Sequence, residues 1–522
     1  MDIARKFRLR PHPPMTPVTA FWLFLCAHVL LWTLLPTLLA WNLPLDTIEA
    51  LTWGREWQAG YYKHPPASAW LAELFRWGSL DWPLFLLSQL AIAAALWAAW
   101  ELARDVLSPW MALVAVMALE GVNYYNLTGL EFNANVVQYP CWAIASLAFW
   151  RSVRRADGGL GWWTLLGVAC GFGMLGKYSF LTLPGSMVAA LVLVPSLRSW
   201  WREPGPWLAM GIAFAMFAPH LLWAQAHDWP TLHYAAGRAT VAPAATGASA
   251  AWVRIGGVAS FIGAQLAAIL PLVALLWAAS GRRQRDDGAM PAVNPAERRR
   301  DGAILLAMGA GPLLIFLAAG VVGVRLHDMW GSPLFLVIGP AIAVTREMKL
   351  RHPRRFAVGF SVWTLLLVVL YGVIAVGGPL AKGKLSRIHY PGRELAAEVA
   401  RGWHRAEGAG ARLPVVAGHA WPAGNVAQYL PPQPDGRPSV YIDADPGRAA
   451  WLDDAEVRAR GAVFVWEAES GGAMDAPAAM PPADWLQRFP ALKVQPPLEI
   501  AVRRFGRDFK VQLGWAILPP RV

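Results

Sequence analysis

The sequence predicts a mainly α-helical protein: a polytopic bundle of membrane-spanning helices with a small α/β region at its C-terminal end. Three observations carry that prediction. Apolar runs long enough to cross a bilayer recur from Val18 to about Gly378. Lys and Arg gather in alternate connections between those runs. After Gly378 the composition changes, with charges and prolines rising. The chain has 522 residues, of which 56% are hydrophobic and only 15% charged, with 30 Trp, which is membrane-protein composition rather than that of a soluble domain.

A span takes roughly 17–25 mostly apolar residues. Runs of this kind lie at 18–40, 82–104, 109–125, 133–150, 161–177, 179–196, 206–224, 251–279, 302–323, 332–345 and 356–378, giving about eleven spans. The basic N-terminus (Arg5, Lys6, Arg8, Arg10) leads into a first run with no small-residue cleavage site after it, so that run reads as an uncleaved span. Placing residues 1–17 in the cytoplasm puts Arg151/Arg154/Arg155, Arg198/Arg202, Arg282 to Arg300 and Arg346 to Arg355 on the same side. The other loops are nearly free of Lys and Arg outside the first one, as the positive-inside rule requires. The formal net charge of +12 is therefore spread over short interhelical clusters, and nucleic-acid binding is excluded.

This orientation divides the chain into a transmembrane part, 18–379, whose first outer loop is 41–81, and an extracytoplasmic α/β region, 380–522. In the latter, Val415–Gly418, Ser439–Ile442 and Ala462–Trp466 read as strands, with helical patterns at Gly424–Leu430 and Ala449–Arg460 between them. Cys26, Cys141 and Cys170 fall inside apolar runs and suggest neither a disulfide framework nor a metal knuckle. There is no internal repeat, which weighs against inverted-repeat transporter folds.

Candidate chemistry concentrates in the first outer loop. Ile48, Leu51, Trp53 and Trp57 predict a short amphipathic helix lying in the interface, followed by an extended turn at Tyr62–Pro66. Asp46 and Glu49, three residues apart, share a helical face; a carboxylate there suits a general base, or else the pair caps the helix. Lys63 and His64 stand at headgroup depth, where cations bind phosphate or snorkel. Lys177 ends the glycine-rich run Gly167–Gly176, and an ionisable group in that setting is a functional candidate. Further substrate-binding candidates are Tyr62, Tyr178, Glu131, Asn133 (equally a helix cap), Asn135, and the pairs His227/Asp228 and His327/Asp328. No metal-ligand spacing is present, so no metal ligand is assigned. Asp443 and Asp445 read as a strand-end turn.

An acid after the first span, His-Pro-Pro in the same loop and a glycine-rich span ending in Lys-Tyr resemble the bacterial GT-C membrane glycosyltransferases of the protein O-mannosyltransferase superfamily. That superfamily includes the aminoarabinose transferase for lipid A and the rhizobial galacturonosyltransferases. The strings Glu131-Phe-Asn-Ala-Asn135, Pro219-His-Leu-Leu-Trp223 with His227-Asp-Trp-Pro-Thr231, and His327-Asp-Met-Trp-Gly-Ser-Pro333 are similar to its glycosyltransferase 39-like branch, over residues 15–380. The resemblance implies a bacterial inner-membrane enzyme that takes a sugar from a polyprenyl-phosphate donor. The acceptor is an envelope glycan, lipid (lipid A or lipopolysaccharide) or protein at the outer face. It implies Asp46 as base, and Lys63, His64 and Lys177 as contacts for the donor phosphate. The family often carries Asp-Glu side by side, whereas Thr47 follows Asp46 here and the second acid is Glu49. A second family aspartate is replaced by Asn133 or Asn135. These departures leave a two-acid mechanism and a divalent cation open; no other cofactor is implied. The alternative is a flippase or transporter of lipid-linked sugars, which would want the same cations.

Overall fold

The computed structural model describes residues 15–154, 159–239, 248–280, 295–434, 436–467 and 480–521. Of the basic residues named above, Arg5 to Arg10, Arg155 and Arg282 to Arg285 lie outside them. In chain order the helices are α1 (Pro17–Leu39), α2 (Leu45–Gly54), α3 (Ala67–Leu74), α4 (Trp82–Arg104), α5 (Pro109–Met117), α6 (Ala134–Arg154), α7 (Leu160–Gly176), α8 (Thr182–Leu193), α9 (Pro204–Ala226) and α10 (Pro230–Ala239). They continue as α11 (Ala248–Ser280), α12 (Pro295–Gly309), α13 (Gly311–Val322), α14 (Phe335–Thr345), α15 (Pro353–Gly372), α16 (Gly378–Lys382), α17 (Gly392–Glu407), α18 (Ala420–Tyr429), α19 (Asp454–Arg460) and α20 (Ala483–Arg488).

Each of the apolar runs is mostly helical. By length and composition, six helices among the described residues are able to cross a membrane, or up to eight if each of two bent pairs counts as one span. The bends are chemical. The 103° break comes at Pro195 after α8, and the 46° break at Gly311-Pro312 between α12 and α13; proline removes a helix donor and clashes with the preceding turn. The runs at 109–121 and 160–176 form shorter apolar helices.

Helices α4, α6, α7 and α9 pack side by side. The glycines of α7 make this close: a Cβ on Gly167 would stand 2.7 Å from the Ala209 carbonyl oxygen, and one on Gly171 2.8 Å from Met216 Cβ. Small residues let backbones approach in lipid, where no hydrophobic force drives helices together. Close packing fixes the end of α7, and so places Lys177. Deeper in the bundle His28 of α1 bonds Glu120, with Asn126 and the Trp363 indole on the same peptide and carboxylate. An ionisable pair therefore also lies inside the bundle.

Residues 415–518 hold a six-stranded sheet, β1 (Val415–Gly418), β2 (Ser439–Ile442), β3 (Ala462–Trp466), β4 (Lys493–Val494), β5 (Leu498–Arg504) and β6 (Arg507–Leu518). The order is β2-β1-β3-β6-β4 with β5 on β6; β1 pairs parallel with β2 and β3, and β6 antiparallel with β3, β4 and β5. Strands β1, β2 and β3 are buried at every residue, which is why they read as unbroken apolar runs.

This region clamps residues 41–81. Tyr429 of α18 accepts from the Leu43 amide at 3.1 Å and donates to Asp81 at 2.9 Å; Arg76 donates to Gln428 at 3.0 Å. The amides of Trp41 and Asn42 both donate to the Ile388 carbonyl, at 2.8 and 3.0 Å. The amphipathic reading of α2 needs correction here. Residues Thr47 to Gly54 are all buried, because α3 covers one side and α18 the other; the helix is inside protein, not flat in an interface.

Candidate active site

The site forms where α2, the 55–66 turn, the 131–135 segment and the end of α7 meet. Helix α2 begins after Pro44, which cannot continue a helix backwards. Asp46 lies in its first turn, but no side chain caps the helix, so the capping alternative is not realised. The Asp46 amide instead donates to Glu131 Oε1 at 2.7 Å, and Thr47 donates to the Phe132 carbonyl at 3.1 Å. Two acids separated by 85 residues in sequence are thus placed together. Burial first, and then the Asp46 charge, hold the Glu131 carboxyl above the usual carboxylate range.

Glu49 is buried and accepts from Lys63 Nζ at 2.5 Å. Burial raises the Glu49 carboxyl while Lys63 pulls it down. Burial likewise works against the Lys63 ammonium, but the Glu49 charge outweighs it and Lys63 rises above its ordinary value. The ammonium also stands 5.6 Å from the Tyr62 ring centroid and 5.9 Å from that of Tyr234. Lys63 therefore points into protein instead of snorkelling. His64 packs edge-on against Trp53 and Tyr234. Burial, followed by the charges of Lys177, Lys63 and Arg238, pushes it down to about 3. It enters the site as a neutral imidazole, so any phosphate it contacts receives one N–H and no charge.

Lys177 follows Gly176 in extended backbone and donates to Asn135 Oδ1 at 2.6 Å. Its ammonium is within electrostatic reach of Asp46. Asn133 caps α6, its Oδ1 accepting from the Asn135 amide at 2.9 Å. Tyr178 donates to His220 Nε2 at 2.6 Å, because His220 Nδ1 must carry the proton that bonds the Ala59 carbonyl at 2.9 Å. With Trp223 donating to Gln58 at 3.1 Å and Thr231 to the Tyr61 carbonyl at 2.8 Å, α9 and α10 pin the turn that carries Lys63 and His64.

The structure thus gathers Asp46, Glu49, Lys63, His64, Glu131, Asn135 and Lys177, and gives Asn133 and Tyr178 positioning contacts. The two His-Asp pairs stand outside this cluster. His227 turns back onto the Trp223 carbonyl at 2.7 Å and stacks on its ring at 4.5 Å. Asp228 is exposed and stands in left-handed backbone, φ 60°, with Trp229 at φ 56°, in the tight turn from α9 to α10. Aspartate tolerates that conformation better than most side chains, so the local backbone accounts for Asp228 as a turn residue, outside the gathered cluster. His327 bonds the Arg238 carbonyl at 3.4 Å, and Asp328 accepts from the Met329 amide at 2.9 Å. The pairs do not combine. Among the described residues no three His, Cys, Asp or Glu side chains converge as metal ligands would. Two groups were not legible in the sequence. Arg238 acts on His64 and Lys177, and Arg387, within electrostatic reach of Glu49 and Glu131, looks like one more basic residue in a flank with Lys382 and Lys384.

Acids and cations converging at one mouth of an apolar helix bundle define the class: a multi-pass membrane protein whose site suits proton removal beside a bound anion. Residues 63–223 match the family described as dolichyl-phosphate-mannose-protein mannosyltransferase. The chain is 28% identical over 404 residues to the lipopolysaccharide core galacturonosyltransferase RgtA of Rhizobium johnstonii, covering 73% of this chain and 75% of that one. It is 28% identical over 200 residues to the lipid A galacturonosyltransferase RgtD of the same organism, covering 36% and 40%. Its fold is similar to that of ArnT from Cupriavidus metallidurans bound to undecaprenyl phosphate, with a TM-score of 0.56 at 15% identity over 95% of this chain and 98% of that one. The chain is a membrane glycosyltransferase, similar in sequence to the protein mannosyltransferase family and the rhizobial galacturonosyltransferases and similar in fold to ArnT.

Proposed function

We propose that this enzyme moves a sugar from a polyprenyl-phosphate donor to an envelope glycolipid at the outer face of the inner membrane. Asp46 removes the proton of an acceptor hydroxyl; the oxygen attacks the anomeric carbon; the carbon–oxygen bond to phosphate breaks, with inversion. The electron pair leaves on the polyprenyl phosphate, whose charge Lys177 and Lys63 offset. Glu131 and Glu49 position these groups. The observation that carries the reading is the Asp46–Glu131 contact facing Lys177, which sets a base beside a cation at one mouth. The relatives named above support it, and a galacturonosyl group is the sugar to try first.

The outer-face assignment, with 380–522 as an extracytoplasmic region over loop 41–81, has its own support. Helix α6 runs 21 residues from the site to Arg151 and Arg154, about 30 Å, or one hydrocarbon core. Arg151 there pairs with Glu101 and Asp105, and Arg154 with Asp301. That separation supports the reading in which the basic cluster and the site face opposite sides.

The test uses purified protein in vesicles, a radiolabelled polyprenyl-phosphate sugar and an envelope lipid extract. Label is expected to pass to the extract. Translocation of intact donor with no transfer would establish the transporter alternative instead.

A further inference from the structure

Beside the site lies a cleft of about 590 Å³ between the first turns of α11, the end of α13 and the segment 324–328. Its walls include Val258, Phe261 and Leu326, and its rim carries Arg254, Arg325 and His327. Two features make it more than a groove. Among the described residues neither guanidinium has an ion-pair partner, although both line one cavity. The acid that shares the rim, Asp328, has one carboxylate oxygen on the Met329 amide at 2.9 Å. The local field is positive: burial first, and then Arg238, Arg325 and Lys177, lower His327 despite its bond to the Arg238 carbonyl.

Val253, 48% exposed, lines the cleft, and the chain neighbours of its lining, Trp252 and Val321, are 72% and 67% exposed. An occupant therefore meets acyl chains and cations together. The cleft is also tied to the site. The Arg325 amide donates to Ala239 at 2.8 Å, and Met329, four residues on, accepts from Asn135, which itself holds Lys177. One short segment thus has the cleft at one end and the proposed donor-phosphate cation at the other.

We propose that this cleft binds a phosphate group of the acceptor lipid, with Arg254 and Arg325 as its ligands, so that acceptor and donor phosphates occupy separate cationic seats joined by residues 325–329. The proposal rests on the transferase reading. Charge-assisted bonds to phosphate are the strong ones, and Arg offers a fork that suits its oxygens. Two seats explain how one enzyme holds two anionic lipids without exchanging them.

The test uses the full chain in phosphatidylcholine nanodiscs with two diazirine lipids, phosphatidic acid and diacylglycerol, read by mass spectrometry of crosslinked peptides. Phosphatidic acid is expected to label residues 253–264 and 320–328 about ten-fold more than diacylglycerol. Arg254→Gln and Arg325→Gln each lower that labelling about ten-fold; the Lys substitutions retain more of it, and Lys177→Gln leaves it unchanged. Equal labelling by the two lipids, or undiminished labelling in both Gln variants, would overturn the site. Full displacement by millimolar inorganic phosphate would make it a free-phosphate site and overturn the lipid assignment. In transfer assays both Gln variants raise KM for the envelope lipid extract with kcat and donor KM unchanged; a changed donor KM or an unchanged acceptor KM overturns the acceptor role. Labelling needs no turnover, so it stays readable even if Asp46 proves not to be the base.

Discussion

Two acidic clusters in this molecule are built in opposite ways. In the sheet region Asp454 accepts from Arg488 Nη2 at 2.5 Å, from Arg488 Nε at 2.9 Å and from Tyr441 at 2.7 Å, and Asp443 pairs with Arg448. Burial opposes the Asp454 charge, but the Arg488 and Tyr441 bonds win and hold its carboxyl below the ordinary range. At the membrane mouth Asp46 and Glu131 sit together, with Glu131 held above its ordinary range and only Glu49 given a bonded cation. Carboxylates neutralised by their own neighbours are structural. Carboxylates left against one another, facing a lysine, suit the proposed role of taking a proton beside an anion.

The strongest attack on this contrast is Lys63→Met, which removes the one cation bonded to an acid at the mouth. A single charged donor aimed at developing charge is worth about 10²–10³-fold in rate. Transfer is expected to fall by about two orders of magnitude, with the protein still monodisperse. A loss under threefold would show that Lys63 only neutralises Glu49. Next is Glu131→Gln. The pair then holds one acid instead of two, so the acid limb of kcat/KM moves to lower pH, by up to about one unit. An unmoved limb would separate Glu131 from the titrating group.

The smallest effects belong to the sheet. Asp454→Asn is expected to cost about 1 kcal/mol of stability at neutral pH, with transfer unchanged. The sign follows from a folded carboxyl held low. Its contribution is present above the unfolded carboxyl's range and lost as pH falls through the folded value, so the gap in Tm between wild type and variant closes in acid. Asp443→Asn with Asp445→Asn leaves turnover intact; loss of transfer in that folded variant would move the active site into the sheet.

Much of this was legible from sequence, and the reasons differ by element. The apolar runs show as helices because hydrocarbon demands internally bonded backbone. Strands β1, β2 and β3 showed as apolar blocks. The β5–β6 hairpin went unread although β5 alternates in burial, because its exposed positions are Glu499, Ala501 and Arg503 and it follows Pro496-Pro497. Asp46 and Lys177 stood out because ionisable groups beside apolar runs are costly. Asp228 stood out for its histidine neighbour, a pairing that the left-handed turn between α9 and α10 explains without a substrate. The Glu131 contact, Arg238 and Arg387 did not stand out, because their meaning arises only when distant segments pack.

The central claim is that Asp46 serves the acceptor and Lys177 the donor, and one paired measurement addresses it. Donor affinity and single-turnover transfer are measured in Asp46→Asn and Lys177→Ala, in nanodiscs, with a radiolabelled polyprenyl-phosphate sugar. Asp46→Asn keeps size and hydrogen bonding but takes no proton, so transfer falls about 10²–10⁴-fold while the donor still binds. Lys177→Ala instead weakens donor binding, by about tenfold or more. Full transfer activity in Asp46→Asn, or donor affinity untouched in Lys177→Ala, would contradict the account.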